Sequence, residues 1–278
     1  MSPLTRRSAL LGAAALATVS TRARADHVAV MPEPLVGKGF SLAWADEFDT
    51  LDIGATGHRW APNLWYERPA DPDQYGVADS ILTLKCLRRA GGWAGCQLST
   101  EWSDTRGGTF FRGGYYEARM KVPHAWPAFW LFSANHSHGV VPRRDDPSTL
   151  CGEIDIYEGD GDHPTYFCGA VHRNTSSQGG VRDEYNHNNC QKNLGIDLTL
   201  DWHDYAVLWT QREVVWYLDG QETHRAPAFD SNWQDSFIVL GLEPGGLLGG
   251  RMPDDAREVD LLVDWVRVWT GAALSRTP

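Results

Sequence analysis

Short runs rich in β-branched and aromatic residues recur along this chain, and little between them carries a helical period. Gly, Pro, Asn and Asp separate the runs. The pattern predicts strands over Ser41–Trp44, Ile81–Leu87, Gly114–Lys121, Ala128–Ser133, Gly152–Glu158, Tyr166–His172, His203–Trp209, Val214–Leu218, Ser236–Leu240 and Val259–Trp269. Asp219-Gly220 is a hairpin signal, and 230–234 reads as one helical turn. Evenly spaced strands without intervening helices point to an all-β sandwich or jelly roll. No repeat, low-complexity linker or second-domain boundary interrupts them. One domain over residues 39–272 is expected, after a loose lead-in at 26–38 and before a short tail at 273–278.

One strand carries chemistry. Glu153-Ile154-Asp155-Ile156-Tyr157-Glu158 places three carboxylates in a run that otherwise reads as buried, bounded by Gly152 and Gly159. Side chains alternate along a strand, so Glu153 and Asp155 share a face. Glu158 is an odd number of residues after Glu153 and belongs on the other face, unless one residue between Asp155 and Glu158 is bulged. With that bulge, two Glu side chains converge as the acid pair of a retaining glycosidase does, at roughly 5–5.5 Å. Like charges that close raise one pKa and separate an ionised nucleophile from a protonated acid. A solvated acidic face is the plain alternative, but acids with no interleaved base repel one another. Calcium is another, yet the run lacks a full calcium loop, although Asp160-Gly161-Asp162 follows.

The first residues are not expected to belong to the fold. Thr5-Arg6-Arg7-Ser8-Ala9-Leu10, an apolar stretch over 11–19 and the small-x-small site Ala23-Arg24-Ala25 form a twin-arginine-type export signal over residues 1–25. The apolar stretch is too short for a membrane span, which takes about 20 residues. A periplasmic or secreted location is expected, with no membrane partner. Without Arg6, Arg7, Arg22 and Arg24, the 25 basic residues against 36 acidic ones fall short by four more, and the charge moves from −11 to −15. That excess argues against nucleic acid and anionic membranes and suits a neutral substrate. The 13 Trp point toward sugar faces stacked on aromatic rings. Cys86 with Cys96, and Cys168 with Cys190, are placed to bridge, which leaves Cys151 as the odd thiol.

Around the acids, Trp126-Pro127-Ala128-Phe129-Trp130-Leu131-Phe132 puts aromatics on one strand face, either as core or as a stacking wall. Tyr115, Glu117 and Arg119 share a face of their strand, either as a surface ion pair or as groups that bind sugar hydroxyls. His172 ends the strand after the acidic one.

Taken in order, these runs resemble glycoside hydrolase family 16, in its laminarinase-like branch with the bulged acidic strand. The matching stretches are Trp44-Ala45-Asp46-Glu47-Phe48-Asp49, Tyr116-Glu117-Ala118-Arg119-Met120-Lys121-Val122-Pro123, the Trp126 run, the acidic strand, Ala170-Val171-His172, His203-Asp204-Tyr205-Ala206-Val207-Leu208-Trp209-Thr210, Trp216-Tyr217-Leu218-Asp219-Gly220 and Val263-Asp264-Trp265-Val266-Arg267-Val268-Trp269. The resemblance implies a concanavalin-like jelly roll of two curved antiparallel sheets, with a cleft across the concave one. It implies retaining, endo-acting hydrolysis of a neutral β-linked polysaccharide, with β-1,3-glucan first. Glu153 would be the nucleophile, Glu158 the acid/base and Asp155 the support of Glu153. Glu117, Arg119, Trp126, Trp130 and His172 would line sugar subsites. Catalysis would need no cofactor. A structural calcium at Asp264 and Glu47 is implied only as an accessory, and a monomer is expected.

The chain departs from the family pattern at the short turn Pro123-His124-Ala125, at Leu98-Ser99-Thr100, and at Gly241, where an Asn is more usual. These departures bear on the cleft walls and leave the acids untouched. A transglycosylase on the same intermediate, a different β-glucan or galactan as substrate, and a non-catalytic lectin are the alternative readings. The intact acidic trio speaks against the lectin.

Overall fold

The computed structural model describes residues 29–62, 64, 71–102, 104–141, 143, 145–173, 186–188, 192–229, 233–246 and 250–271. Two antiparallel sheets hold almost all of the regular structure. Among the described residues one sheet has nine strands and the other eight. The outer sheet runs Gln221–Pro227, Glu213–Leu218, His203–Trp209, Gly114–Lys121, Glu258–Gly271, Ile81–Arg89, Tyr75–Ala78. Glu258–Gly271 is its spine. One edge pairs with Gly114–Lys121. The other pairs first with Ile81–Arg89 and then with Phe40–Asp46. The acidic sheet runs Asn186–Asn188, Tyr166–Arg173, Gly152–Glu158, Trp126–Ser133, Ser236–Glu243, Cys96–Ser99, Ala61–Pro62.

Alternation decides what lies between the sheets. Tyr116, Ala118, Met120, Val207, Val266 and Val268 of the outer sheet meet Phe129, Leu131, Ile154, Ile156, Ile238 and Leu240 of the acidic sheet in one core. The predicted limits of Gly114–Lys121, Gly152–Glu158 and His203–Trp209 hold to the residue. Asp219 and Gly220 both take positive φ, 50° and 74°, as a two-residue hairpin turn between Leu218 and Gln221 requires. The outgoing strand Gln221–Pro227 escapes a sequence reading because it is a polar edge strand with little apolar alternation. Of the helical turn expected at 230–234, residues 230–232 lie outside the described residues, and Trp233 and Gln234 form a bend.

Residues 29–38 are not a loose lead-in. Pro32 precedes a single 3-10 turn, Glu33–Leu35. Leu35 is fully buried on the far side of the outer sheet, against Phe40, Tyr115, Ala206, Val215, Tyr217 and Trp269. A two-sheet sandwich has an apolar patch on its outer face only where something covers it, and here this turn does.

The expected bulge is present. Phe129 pairs with Tyr157 and Trp130 with Asp155, so Ile156 is the extra residue. On the other side Asp155 pairs with Ala170 and Glu158 with Cys168. A bulge disrupts the ladder locally, and a buried carbonyl there needs another partner. The Trp216 indole N–H, from the opposite sheet, donates to the Asp155 carbonyl at 2.7 Å. Trp216 is fully buried and stacks on His224 at 4.3 Å and 9°. Its path crosses Gly169, where a Cβ would come within 2.5 Å of the indole Cδ1 and Nε1. Gly169→Ala therefore has to displace Trp216. It is expected to lower the unfolding free energy by about 1–3 kcal/mol in urea titration. A variant as stable as the parent would show that the indole is not confined there.

Candidate active site

The bulge returns Glu158 to the face of Glu153 and Asp155, and all three line one cleft. Trp126, Ala128, Trp130 and Phe132 form one wall from the neighbouring strand. Gln97, Gly241 and Glu243 extend it from the strands beyond. The same alternation that sends Ile154 and Ile156 inward sends Glu153 and Asp155 out. Trp130 rests on Phe132 at 4.9 Å, and Phe132 sits on a second apolar cluster with Leu64, Phe237 and Val239. The cleft wall therefore has its own apolar backing.

Glu158 is held in a low-polarity setting. Burial is the main cause that pushes its carboxyl up to about 8, and the Asp155 charge adds to it. The Trp126 indole N–H, 3.0 Å from Oε1, opposes the shift, because a hydrogen bond to the charged form favours it. The lesser Glu153 charge raises it further, and His172 lowers it. At neutral pH Glu158 therefore carries a proton, beside two other acids. His172 lies directly across the ladder from Glu153, with Nε2 2.9 Å from Asp155 Oδ2. Trp126, Trp130 and His172 are thus gathered with the acids, as expected.

Glu117 and Arg119 are not. Their strand belongs to the outer sheet, and its alternation sends Tyr116, Ala118 and Met120 into the core. Glu117 and Arg119 point away from the cleft, on the opposite side of the sandwich. Glu117 accepts from the Tyr115 hydroxyl at 3.3 Å, and Arg119 pairs with Asp204 at 2.8 Å. Shared alternation within a strand fixes the face, but not the sheet to which the strand belongs.

The expected calcium residues hold cations already. Both Glu47 oxygens accept from Arg267, each at 2.9 Å, and Arg267 lies 4.1 Å over the Trp265 ring. Asp264 has the Arg119 Nε at 3.7 Å. As placed, the two carboxyls face guanidinium groups, Glu47 that of Arg267 and Asp264 that of Arg119.

Cys86 and Cys96 do not bridge. Both are buried thiols, and the Cys96 sulfhydryl reaches the Lys85 carbonyl at 3.5 Å. Cys168 is buried; Cys190, the partner expected for it, lies outside the described residues. Cys151 is a free, buried thiol that burial pushes up to about 11. It is not part of the cleft lining.

Gln97 and Glu243 escaped the sequence reading. Each sits on a strand where only alternation against a known core reveals the cleft face. Gly241 was noticed as a departure from a pattern, and its missing side chain leaves that part of the wall open.

A sandwich with a row of carboxylates across one sheet is the layout of a glycoside hydrolase. The chain belongs to Glycosyl hydrolases family 16, which matches residues 79–265. It is similar to the Beta-glucanase of Rhodothermus marinus, at 27% identity over 259 residues, covering 83% of this chain and 85% of that protein. It is also similar to the Glucan endo-1,3-beta-glucosidase of Cryptopygus antarcticus, at 28% over 269 residues, covering 82% and 92%. The solved endo-beta-1,3-glucanase from Pyrococcus furiosus shares the fold, with a TM-score of 0.63 at 23% identity over 83% of this chain and 94% of that one.

Among the carboxyls buried away from the acidic strand, Glu101 and Glu117 are raised into the neutral range. Burial pushes Glu101 and Glu117 each up to about 7. Glu101 shares a hydrogen bond with Ser137 Oγ, whose hydroxyl also reaches the Ala134 carbonyl at 3.0 Å. A carboxyl whose folded pKa exceeds its unfolded value of 4.5 takes up protons on folding between the two. Its stabilising effect is full below that window and is lost as pH rises through the folded value. Urea unfolding at pH 5 and pH 8 is expected to show the lower stability at pH 8, and Glu101→Gln with Glu117→Gln should flatten the difference. A rise in stability from pH 5 to pH 8 would contradict this.

Proposed function

We propose that this chain cuts internal bonds of a neutral β-linked polysaccharide, β-1,3-glucan first, with retention of configuration. Glu158 donates its proton to the leaving glycosidic oxygen while a Glu153 oxygen attacks the anomeric carbon. The C–O bond breaks and a glycosyl-enzyme forms. Glu158, now ionised, takes a proton from water, which attacks the same carbon and frees Glu153. Asp155, between the two on the same face, supports the ionisation and orientation of Glu153. Trp126 and Trp130 stack against sugar faces.

The observation that carries this reading is the bulge. It places three acids in one cleft, where burial keeps Glu158 protonated and near 8. A neutral substrate suits a cleft that, among the described residues, is lined by four carboxyl side chains and no Lys or Arg. β-1,3-glucan is favoured by the names of the relatives, a glucan endo-1,3-beta-glucosidase and a beta-glucanase among them.

Export belongs to the same reading. Arg6-Arg7, the apolar stretch and Ala23-Arg24-Ala25 direct the chain through a twin-arginine route to the periplasm or beyond, where a Cys168–Cys190 disulfide would be stable. Mass spectrometry of protein from the native host should find a chain that starts near Asp26. An intact Met1 on exported protein would contradict the route.

Incubation with a panel of β-glucans and galactans, with products read by chain length, tests the activity itself. Short oligosaccharides from β-1,3-glucan are expected; cleavage of galactan alone would overturn the substrate. On polysaccharide, Glu158→Gln should lower kcat by about 10²–10⁴-fold, and Glu153→Gln should abolish turnover. The alkaline limb of kcat/KM should fall near pH 8, as Glu158 loses its proton. Glu158→Ala should turn over an aryl β-glycoside when azide is added and release the β-azide. An α-azide would exclude a covalent intermediate on Glu153.

A further inference from the structure

The three groups at the nucleophile end of the acidic row also make a set of metal ligands. We propose that Glu153, Asp155 and His172 bind a zinc-class divalent ion, and that the bound ion reversibly blocks the enzyme. The binding stands on geometry alone, and only the blocking rests on the catalytic reading above.

One donor atom from each of the three side chains lies within 4.8 Å of the other two. The backbone sets this up. Glu153 and His172 are cross-strand partners, and such pairs hold their Cβ atoms roughly 4.5–5.5 Å apart on one face. Asp155 follows on the same face, and its side chain is 4% exposed.

Within the set, Asp155 and His172 already approach as an ion pair would. Asp155 Oδ2 lies 2.9 Å from His172 Nε2, yet that oxygen accepts no hydrogen bond. A buried carboxylate oxygen in that position has lone-pair capacity pointed at a shared space, and a buried oxygen left so is costly. A cation between Oδ2, Nε2 and a Glu153 oxygen would satisfy it.

The donor chemistry selects the ion. Imidazole with carboxylates suits zinc, copper and nickel, whereas calcium and magnesium favour all-oxygen shells. Zinc takes three protein ligands plus one water at about 2.0–2.2 Å, a set that small side-chain rotations from the observed spread would supply. Among the described residues no Lys or Arg lines the cleft to oppose a cation. Glu158 stays outside the set, bonded to Trp126. The ion would tie up the Glu153 oxygen that attacks the anomeric carbon.

Calorimetric titration of the full chain with zinc chloride tests this, with magnesium chloride as the second arm. One zinc per chain is expected in the parent and in Glu158→Gln, with no magnesium binding at the same concentrations. His172→Gln, Asp155→Asn and Glu153→Gln should each weaken zinc by at least about tenfold. Zinc should also raise the Tm of the parent and of Glu158→Gln, but not of the three ligand variants. Activity lost to zinc should return with a chelator. Undiminished zinc affinity in all three ligand variants, or equal binding of magnesium, would overturn the proposal. Any one ligand variant that folds is enough for the comparison. A parent that binds zinc but cuts no glucan would retain the metal site and remove the catalytic reading.

Discussion

The hydrogen bond from the Trp216 indole to the Asp155 carbonyl ties the core of this protein to its chemistry. Without the extra residue at Ile156, strand parity would send Glu158 inward among aliphatic side chains. With it, a carbonyl in the middle of a sheet needs a partner from outside the ladder. The opposite sheet supplies that partner across the core, at 2.7 Å. The arrangement requires a residue with no side chain at 169 and a ring partner at His224. Placement of the third acid is therefore a property of both sheets and not of the acidic strand alone.

Electrostatics in the cleft follow from that placement. The three acids share one face; Asp155 is the most buried of them, and burial together with the Asp155 charge raises Glu158 so that its proton is retained. Glu101 and Glu117 show that burial alone does not mark a site. Both are raised toward neutrality by the same cause, and neither lines the cleft. What distinguishes Glu158 is the company of two further carboxyls and an indole donor on an open face.

Much of this was legible in the sequence, for identifiable reasons. Strand limits were clear where Gly, Pro or charged residues bounded an apolar run, as at Gly152–Glu158. The bulge followed from parity, since three acids on one strand have little reason to be split between core and solvent. Trp126 and Trp130 followed from alternation in a strand with a known aromatic face. Glu117 and Arg119 were misplaced, because alternation is local and the assignment of strands to sheets is not. Cys86 and Cys96 are close in sequence, yet on strands of different sheets. Trp216 could not be singled out, since its partner lies 61 residues away. Gln97 and Glu243 are ordinary polar residues until the sheet is assembled around them.

The turn at Glu33–Leu35 sets a limit on proteolytic trimming. Ala29 and Met31 already rest against the apolar patch that Leu35 seals on the outer sheet. A cut upstream of residue 29 leaves that seal intact. A cut a few residues further on would uncover Tyr115, Tyr217 and Trp269 together, a contiguous aromatic surface of the kind that drives association between chains. The patch lies on the side of the sandwich away from the cleft. An over-trimmed protein would therefore be lost to clumping while its catalytic face was still whole.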